Sequence, residues 1–166
     1  MNEQYKVAQF HEAFGHPVAT EPTPFSQDRG ELRYKMIEEE LDEFGSALNT
    51  DDLVEQYDAL IDIIYLAMGG LVEIGLPLGP GFDIVQKSNM SKLGADGKPI
   101  ISRGFELDGL PEGKIMKGPD YKRPNLKTVV EAFQSIAEFR KEYYGDSNYS
   151  ESFKPSELYL EGPQND

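Results

Sequence analysis

The chain has 166 residues, of which 39% are hydrophobic, enough for one domain with a core and a tail. Thirty acidic against sixteen basic residues give a formal charge of −14, which opposes binding to the phosphate backbone of a nucleic acid. Cysteine is absent, which excludes disulfides, thiolate zinc sites and a cysteine nucleophile.

Two helices are predicted before residue 50. Residues 3–14 carry apolar side chains at helical spacing and are followed by Gly15 and Pro17, which predicts a short first helix. TEPTPFSQDRG is a loop by composition, and Ser26 is the expected cap of a second helix running to about Leu48. Its core-facing stripe is Ile37, Leu41, Phe44 and Leu48.

A third helix is predicted over about 51–74, the most apolar part of the chain, with capping oxygens from Asn49, Thr50 and Asp51. Because only a few residues join it to the second helix, the two are expected to pack as an antiparallel hairpin. GLPLGPG breaks the pattern, and a fourth helix is predicted over about 82–93.

The second half is richer in loops. PIISR and KIMKG predict a small β-hairpin near residues 98–118, and a last amphipathic helix is expected after Pro124. The expected fold class is all-α, a bundle of four to five helices over residues 1–144, with a polar tail over 145–166. No window reaches the roughly 20 apolar residues needed to cross a bilayer, and no leader is visible. We therefore expect a cytoplasmic protein with no membrane partner.

The third helix carries a strip of carboxylates. At about 100° per residue, Glu55, Asp58 and Asp62 lie within about 60° of one another. Asp62 also stands among apolar residues, in the run LIDII. Packing the helix over most of its circumference is therefore expected to bury or half-bury Asp62.

A second acidic strip lies on the second helix, where Glu39 and Glu43 are one turn apart and Glu40 precedes Glu43 by three residues. The two strips can face each other in a hairpin, and no Lys, Arg or His occurs between Met36 and Gln86. Because unpaired buried carboxylates are costly, a hard divalent cation, Mg²⁺ or Mn²⁺, is the favoured counter-charge. Two solvated helix faces are the alternative, favoured for EEELDE taken alone.

These features resemble a known family. The EExxE of the second helix, the acidic residue of DIIY and the later KSNMSKL are similar to the all-α NTP pyrophosphohydrolases of the MazG type. That superfamily includes phosphoribosyl-ATP pyrophosphohydrolases and dimeric dUTPases. The resemblance covers roughly residues 5–125 and is closest to small phage and bacterial MazG-like proteins.

The resemblance implies that EExxE on one helix and ExxD on the next hold Mg²⁺ over a nucleoside triphosphate, which is cleaved between its α and β phosphates. The implied metal ligands, by position, are Glu39, Glu40, Glu43 and Asp62. The family's Glu three residues before Asp62 is Ala59 here, so Asp58 or Glu55 is expected in its place. Glu40 is the residue implied to hold and deprotonate the attacking water.

The resemblance also implies substrate contacts. The expected phosphate ligands are Lys87, Asn89 and Lys92, although cations complementing the helix dipole are an equal alternative without the family match. Lys117 and Tyr121 are weaker candidates, for part of a lid or of a neighbouring copy's site. His11 is a candidate nucleotide contact, although a structural histidine is the commoner case.

The leading substrate is (d)GTP, since the resemblance extends to MazZ-type phage enzymes, and in that case the host cytoplasm is the expected location. Phosphoribosyl-ATP and dUTP are the runner-up substrates. A non-enzymatic acidic module that binds metal or a basic partner is the competing function. The apolar third helix exceeds what one protomer can cover, so a homodimer or homotetramer is expected.

Overall fold

The computed structural model describes residues 3–152, Pro155 and Tyr159. Six helices lie in these residues, and no named strand does, which confirms an all-α fold. The helices are α1 (Glu3–Phe14), α2 (Gln27–Thr50), α3 (Leu53–Glu73), α4 (Leu78–Met90), α5 (Phe105–Asp108) and α6 (Lys127–Ser152).

The chain divides into two compact units. The first unit comprises Met1–Leu78 and Val130–Asp166, and the second comprises Gly79–Val129. Within the described residues no single helix has the length and apolarity to cross a bilayer, and one broken pair, α3 with α4, passes that test by length and composition only.

The junction of α2 and α3 is a two-residue connection. Asp51 takes a left-handed conformation, with φ of 57°, and ends α2. Asp52 caps α3, since its Oδ1 accepts hydrogen bonds from the backbone N–H groups of Val54 at 3.0 Å and Glu55 at 3.2 Å. So tight a connection leaves the two helices antiparallel, and the cap lies one residue after the predicted ones.

α4 begins at Leu78, earlier than predicted, and takes in Gly79, Pro80 and Gly81, the last three residues of GLPLGPG. Proline is tolerated in the first turn of a helix because its missing N–H would have no partner there. The N–H of Leu78 donates to Oε1 of Gln4 at 2.7 Å, which satisfies one of the free donors of this helix end.

The predicted β-hairpin near residues 98–118 is wrong. Its two segments meet at one isolated bridge, Ile101 with Ile115, and no strand forms in the described residues. The N–H of Met116 donates to the carbonyl of Ile100 at 2.8 Å, but the first segment then turns away at Gly104, whose φ is 112°, into α5. So short a pairing is below the size at which a hairpin is stable by itself.

The core of the first unit lies between α1 and α3. Its buried residues are Val7, Ala8, Met68, Val72 and Tyr159. The hydroxyl of Tyr159 is 3.3 Å from the carbonyl oxygen of Val72, and burial raises the pKa of Tyr159. α6 continues past residue 144, to Ser152. The division into a domain over residues 1–144 and a tail over 145–166 stays a prediction.

A buried histidine joins α1 to the loop that follows it. The His11 side chain is 3% exposed, and its Nδ1 lies 2.8 Å from the carbonyl oxygen of Pro17. A carbonyl only accepts, so Nδ1 carries the hydrogen. Burial, and the nearby positive charge of Arg33, lower the pKa of His11 from its ordinary 6.5, while the Pro17 hydrogen bond opposes part of that shift.

We expect the free energy of unfolding to depend on His11 between pH 7 and pH 5. A lowered folded-state pKa favours the neutral imidazole, so this stability is complete above about pH 6.5 and is lost as the pH falls through the folded pKa. His11→Asn retains an N–H for the Pro17 carbonyl and cannot titrate, so it should flatten the slope in urea unfolding. His16→Asn, at an exposed position, should retain most of it. An unchanged slope in His11→Asn would contradict this account.

Tyr159 is expected to anchor the end of the chain. Tyr159→Ala should lower the free energy of unfolding by about 3 kcal/mol, because it opens a cavity against Val72 and its neighbours. Tyr159→Phe removes only the long hydrogen bond and should cost about 1 kcal/mol or less. Phe105→Ala, at a position 69% exposed, is the control, with little expected change in urea unfolding. Equal losses in all three variants would sink the assignment.

Candidate active site

Two hydrogen bonds show the register of α2 against α3. Nε2 of Gln56 donates to the carbonyl of Ala47 at 3.3 Å, and Nη1 of Arg33 donates to the carbonyl of Leu66 at 3.3 Å. Glu40 lies midway between Ala47 and Arg33 in the sequence. The α3 position opposite it therefore lies between Gln56 and Leu66, which is where Asp62 stands.

The raised pKa of Glu40 indicates which acidic side chains lie near it. Burial is the largest effect and raises its pKa, since the side chain is half-buried. Four like charges raise it further, in the order Glu43, Asp62, Glu39 and Asp58. Two carboxylates of the α3 strip, Asp62 and Asp58, thus lie close enough to Glu40 to raise its pKa.

Asp62 is exposed, so the expected burial of this side chain is wrong. The apolar residues beside it are not covered either: Leu60, Ile61 and Ile64 are 44%, 42% and 51% exposed. The sequence prediction assumed that α3 would be surrounded. Among the described helices α1 and α2 pack most extensively against α3, and they leave these apolar residues open.

The carboxylates do not form a finished ligand set. Among the described residues, no three acidic or histidine side chains converge closely enough to hold an ion as they stand. Glu55, in the first turn of α3, is not among the groups that raise the pKa of Glu40. An ion would have to draw the exposed side chains inward, which their exposure permits.

The arginines of α2 do not offset this charge. Arg29 and Arg33 both donate to the carboxylate of Glu73, which is 8% exposed at the end of α3. Burial is the largest single effect and raises the pKa of Glu73, but the two arginines together outweigh it and leave the pKa lowered. These two arginines therefore pair with Glu73 rather than with the acidic strips.

The second unit holds the predicted phosphate ligands at the end of α4. Nζ of Lys92 donates to Oδ1 of Asn89 at 2.7 Å, and Lys87 is exposed one turn earlier. Between them, buried Ser88 donates through its hydroxyl to the carbonyl of Lys122 at 2.7 Å, and the N–H of Lys122 donates to Ser91 Oγ at 2.9 Å. This pair of bonds fixes the loop that carries Lys122 onto α4.

Lys117 and Tyr121 lie in that loop and contact each other. The Lys117 ammonium is 4.8 Å from the centre of the Tyr121 ring, a cation–π contact. A Cβ at Gly118 would collide with the Leu93 carbonyl, so glycine is required where the loop meets the end of α4. The pair therefore belongs to a held loop of the second unit, and its lid role stays a prediction.

His11 lies in the core of the first unit rather than on an open surface, which suits a structural role. Around it, the ring of Phe10 stacks on Phe14 at 4.3 Å and on His16 at 5.9 Å between centroids. It also meets Tyr65 edge-on at 5.8 Å. Phe14 is 69% exposed, so this aromatic cluster is partly open to solvent.

Sequence reasoning missed the group of Arg29, Arg33 and Glu73. One signal was present: Glu73 ends the apolar third helix, and the Gly69–Gly70 pair before it leaves room for a large side chain. The partner on α2 was hidden because charged residues on a surface helix normally point into solvent.

Comparison with known proteins identifies the family. The family profile described as Phosphoribosyl-ATP pyrophosphohydrolase matches residues 7–89, half of the chain. A crystal structure of a candidate NTP pyrophosphohydrolase from Exiguobacterium sp. 255-15 is 30% identical to this chain, with 84% of this chain and 97% of that one covered and a TM-score of 0.40. No curated protein matches the chain. The profile match includes both acidic strips, and the chain belongs to the phosphoribosyl-ATP pyrophosphohydrolase family.

Proposed function

We propose that the chain is a Mg²⁺-dependent pyrophosphohydrolase that cleaves a nucleoside triphosphate between its α and β phosphates. The observation that supports it is the crowding of Glu43, Asp62, Glu39 and Asp58 around Glu40 in a member of this family. Water supplies the oxygen that bonds to the α-phosphorus. The α–β bridging oxygen leaves with pyrophosphate, and the other product is a nucleoside monophosphate.

The donor set suits a hard divalent cation. It consists of carboxylates alone, and their mutual repulsion would be relieved by positive charge. When bound, Mg²⁺ supplies charge neutralisation for the triphosphate and for the developing negative charge on the leaving group. Mn²⁺ is the expected substitute because it favours the same oxygen ligands.

The carboxylates divide the remaining tasks. Glu39, Glu43, Asp58 and Asp62 would hold the cation, two from each helix, and Glu55 is the reserve candidate on α3. Glu40, at the centre of this group, would hold the attacking water by a hydrogen bond and accept its proton. A half-buried position suits this task, since a carboxylate partly shielded from solvent keeps a fixed orientation toward a bound water.

Phosphate recognition is assigned to the second unit. Lys87, Asn89 and Lys92 would bind phosphate oxygens, and Lys117 and Tyr121 would form part of a lid or of a neighbouring copy's site. The Lys92–Asn89 hydrogen bond supports this assignment, because it holds an ammonium and an amide together at the end of α4.

The leading substrate is (d)GTP, which rests on the resemblance to small phage and bacterial members. Phosphoribosyl-ATP is the second candidate, favoured by the description of the matching family profile. The two are separable by direct comparison of kcat/KM, since each is a triphosphate with a distinct purine and ribose substitution.

The exposed side of α3 supports a homodimer or homotetramer. Val54 and Tyr57 are 72% and 67% exposed, and Ile61 and Ile64 are also open. A contiguous apolar helix face of this kind marks a surface that another chain covers. A second copy is proposed as that chain.

We expect Glu40→Gln and Asp62→Asn each to lower kcat for the best substrate by about 100-fold or more, measured as pyrophosphate release with Mg²⁺. Glu38→Gln is the matched control: Glu38 stands in the same EEE run, is exposed and accepts a hydrogen bond from Tyr34. It should stay within about twofold of the wild type, as expected for a surface change.

The same variants test the electrostatic claim without catalysis. Without divalent cations, Asp62→Asn should raise the melting temperature because it removes a like charge near Glu40. In the activity assay, EDTA should abolish hydrolysis by the wild type. A fully active Asp62→Asn enzyme would overturn the site. If no nucleotide is cleaved while Mg²⁺ still raises the wild-type melting temperature, the chain is a metal-binding module instead.

A charge placed on the open face of α3 should break the assembly. Ile61→Glu and Ile64→Glu are expected to shift the mass in light scattering from a dimer or tetramer to a monomer, because each buries an unpaired carboxylate at the interface. Phe105→Glu, in the second unit, should leave the mass unchanged. A monomeric wild-type protein would end this part of the proposal.

A further inference from the structure

The ion pair of Arg33 with Glu73 is the most buried charged contact among the described residues of the first unit. Both residues are 8% exposed, and the Arg29 side chain, which shares Glu73, is 30% exposed. Arg33 makes a second contact across the hairpin, from Nη1 to the carbonyl of Leu66 at 3.3 Å. One guanidinium thus contacts α3 at two places about two turns apart.

This contact is a poor source of stability. Removing two charges from water costs several kcal/mol per ion, and apolar residues of similar volume often serve as well or better. Nε of Arg33 is buried with no hydrogen-bond partner in the described structure, which adds to the cost. What apolar residues do not supply is direction, since a guanidinium must align its N–H groups with fixed acceptors.

The guanidinium of Arg33 packs closely on α3 at Gly69 and Gly70, where the helix has no side chains. A Cβ at Gly69 would lie 2.8 Å from Nη1 of Arg33 and 2.9 Å from Nε2 of His11. Gly70 faces the aliphatic part of Arg33, since a Cβ at Gly70 would lie 3.8–3.9 Å from the Cγ and Cδ atoms of Arg33. If α2 slid along α3 by one turn, larger side chains would take the place of this glycine pair, so the guanidinium would no longer fit.

The position of this contact connects it to the carboxylates. Glu40 follows Arg33 by about two turns on α2, and Leu66 follows Asp62 by about one turn on α3. We propose that Arg33 and Glu73 are positioning residues that fix α2 on α3 in the register that sets Glu40 opposite Asp62. This inference rests on the proposed function for its catalytic consequence, but the register itself is a property of the chain.

The test uses three variants and a control. R33M/E73M removes both charges together, R33K keeps the charge but lacks the guanidinium fork, and G69A crowds Nη1 of Arg33. G45A is the matched control, since a Cβ at Gly45 meets nothing within 4 Å, and it should keep wild-type activity. Urea unfolding, kcat, KM and the Mg²⁺ concentration for half-maximal rate are measured for each.

The register is measured directly by electron–electron distance between spin labels at Ser46 and Ala67. Both positions are exposed, and the natural chain has no cysteine to interfere with labelling. Labelled protein is diluted with unlabelled protein so that only distances within one chain are seen. A slip of one turn would change the distance by about 5 Å.

We expect R33M/E73M to fold with stability near that of the wild type but with a shifted or broadened distance. Its kcat should fall at least about tenfold and its Mg²⁺ requirement should rise, with a smaller change in KM, because misplacing reacting groups by about 1 Å is costly. R33K and G69A should lie between it and the wild type. A purely structural ion pair would change unfolding alone.

The inference is overturned if R33M/E73M keeps the wild-type distance, kcat and Mg²⁺ dependence. If that variant does not fold, wild-type values in both R33K and G69A overturn it. If the wild type hydrolyses no triphosphate, the proposed function fails by itself, and the distance measurement alone then decides the register, with an unchanged distance in R33M/E73M counting against it.

Discussion

The central constraint on this structure is the repulsion between carboxylates of α2 and α3, which no basic side chain in the sequence between them offsets. Burial, and then the like charges of carboxylates on α2 and α3, raise the pKa of Glu40, and the sequence between Met36 and Gln86 contains no basic residue. The arginines that precede this stretch on α2 are directed to Glu73. A chain that confines negative charge in this way suits a ligand that brings positive charge with it, such as Mg²⁺ bound to a triphosphate.

The two ends of the hairpin hold these carboxylates together against their repulsion. At one end, Asp51 and Asp52 turn the chain and cap α3. At the other, Arg33 joins α2 to α3 over the small surface of Gly69. Because both ends of the hairpin are held, like charges can be tolerated in its middle. Such a local cost in stability is characteristic of binding sites.

The sequence predicted most of the helices and the positions of the acidic residues on α2 and α3, while their role as a metal site stays a prediction. Helical spacing placed α1, the hairpin and both carboxylate strips, because periodicity is a local property. It failed where a distant contact decided the outcome. The start of α4 depends on Gln4, the β-hairpin shrinks to one bridge before α5, and Asp62 is exposed because no described residue covers its side of α3. Pairing across the helices, as between Arg33 and Glu73, is not encoded in any one segment.

The most direct measurement is diffraction from a crystal soaked with Mn²⁺ and a non-hydrolysable triphosphate, recorded for the anomalous signal of the metal. We expect at least one Mn²⁺ peak within bonding distance of carboxylate oxygens from both helices, with Asp62 among the ligands and phosphate oxygens completing the shell. Density for the nucleotide without a metal between α2 and α3, or a metal bound elsewhere, would contradict it.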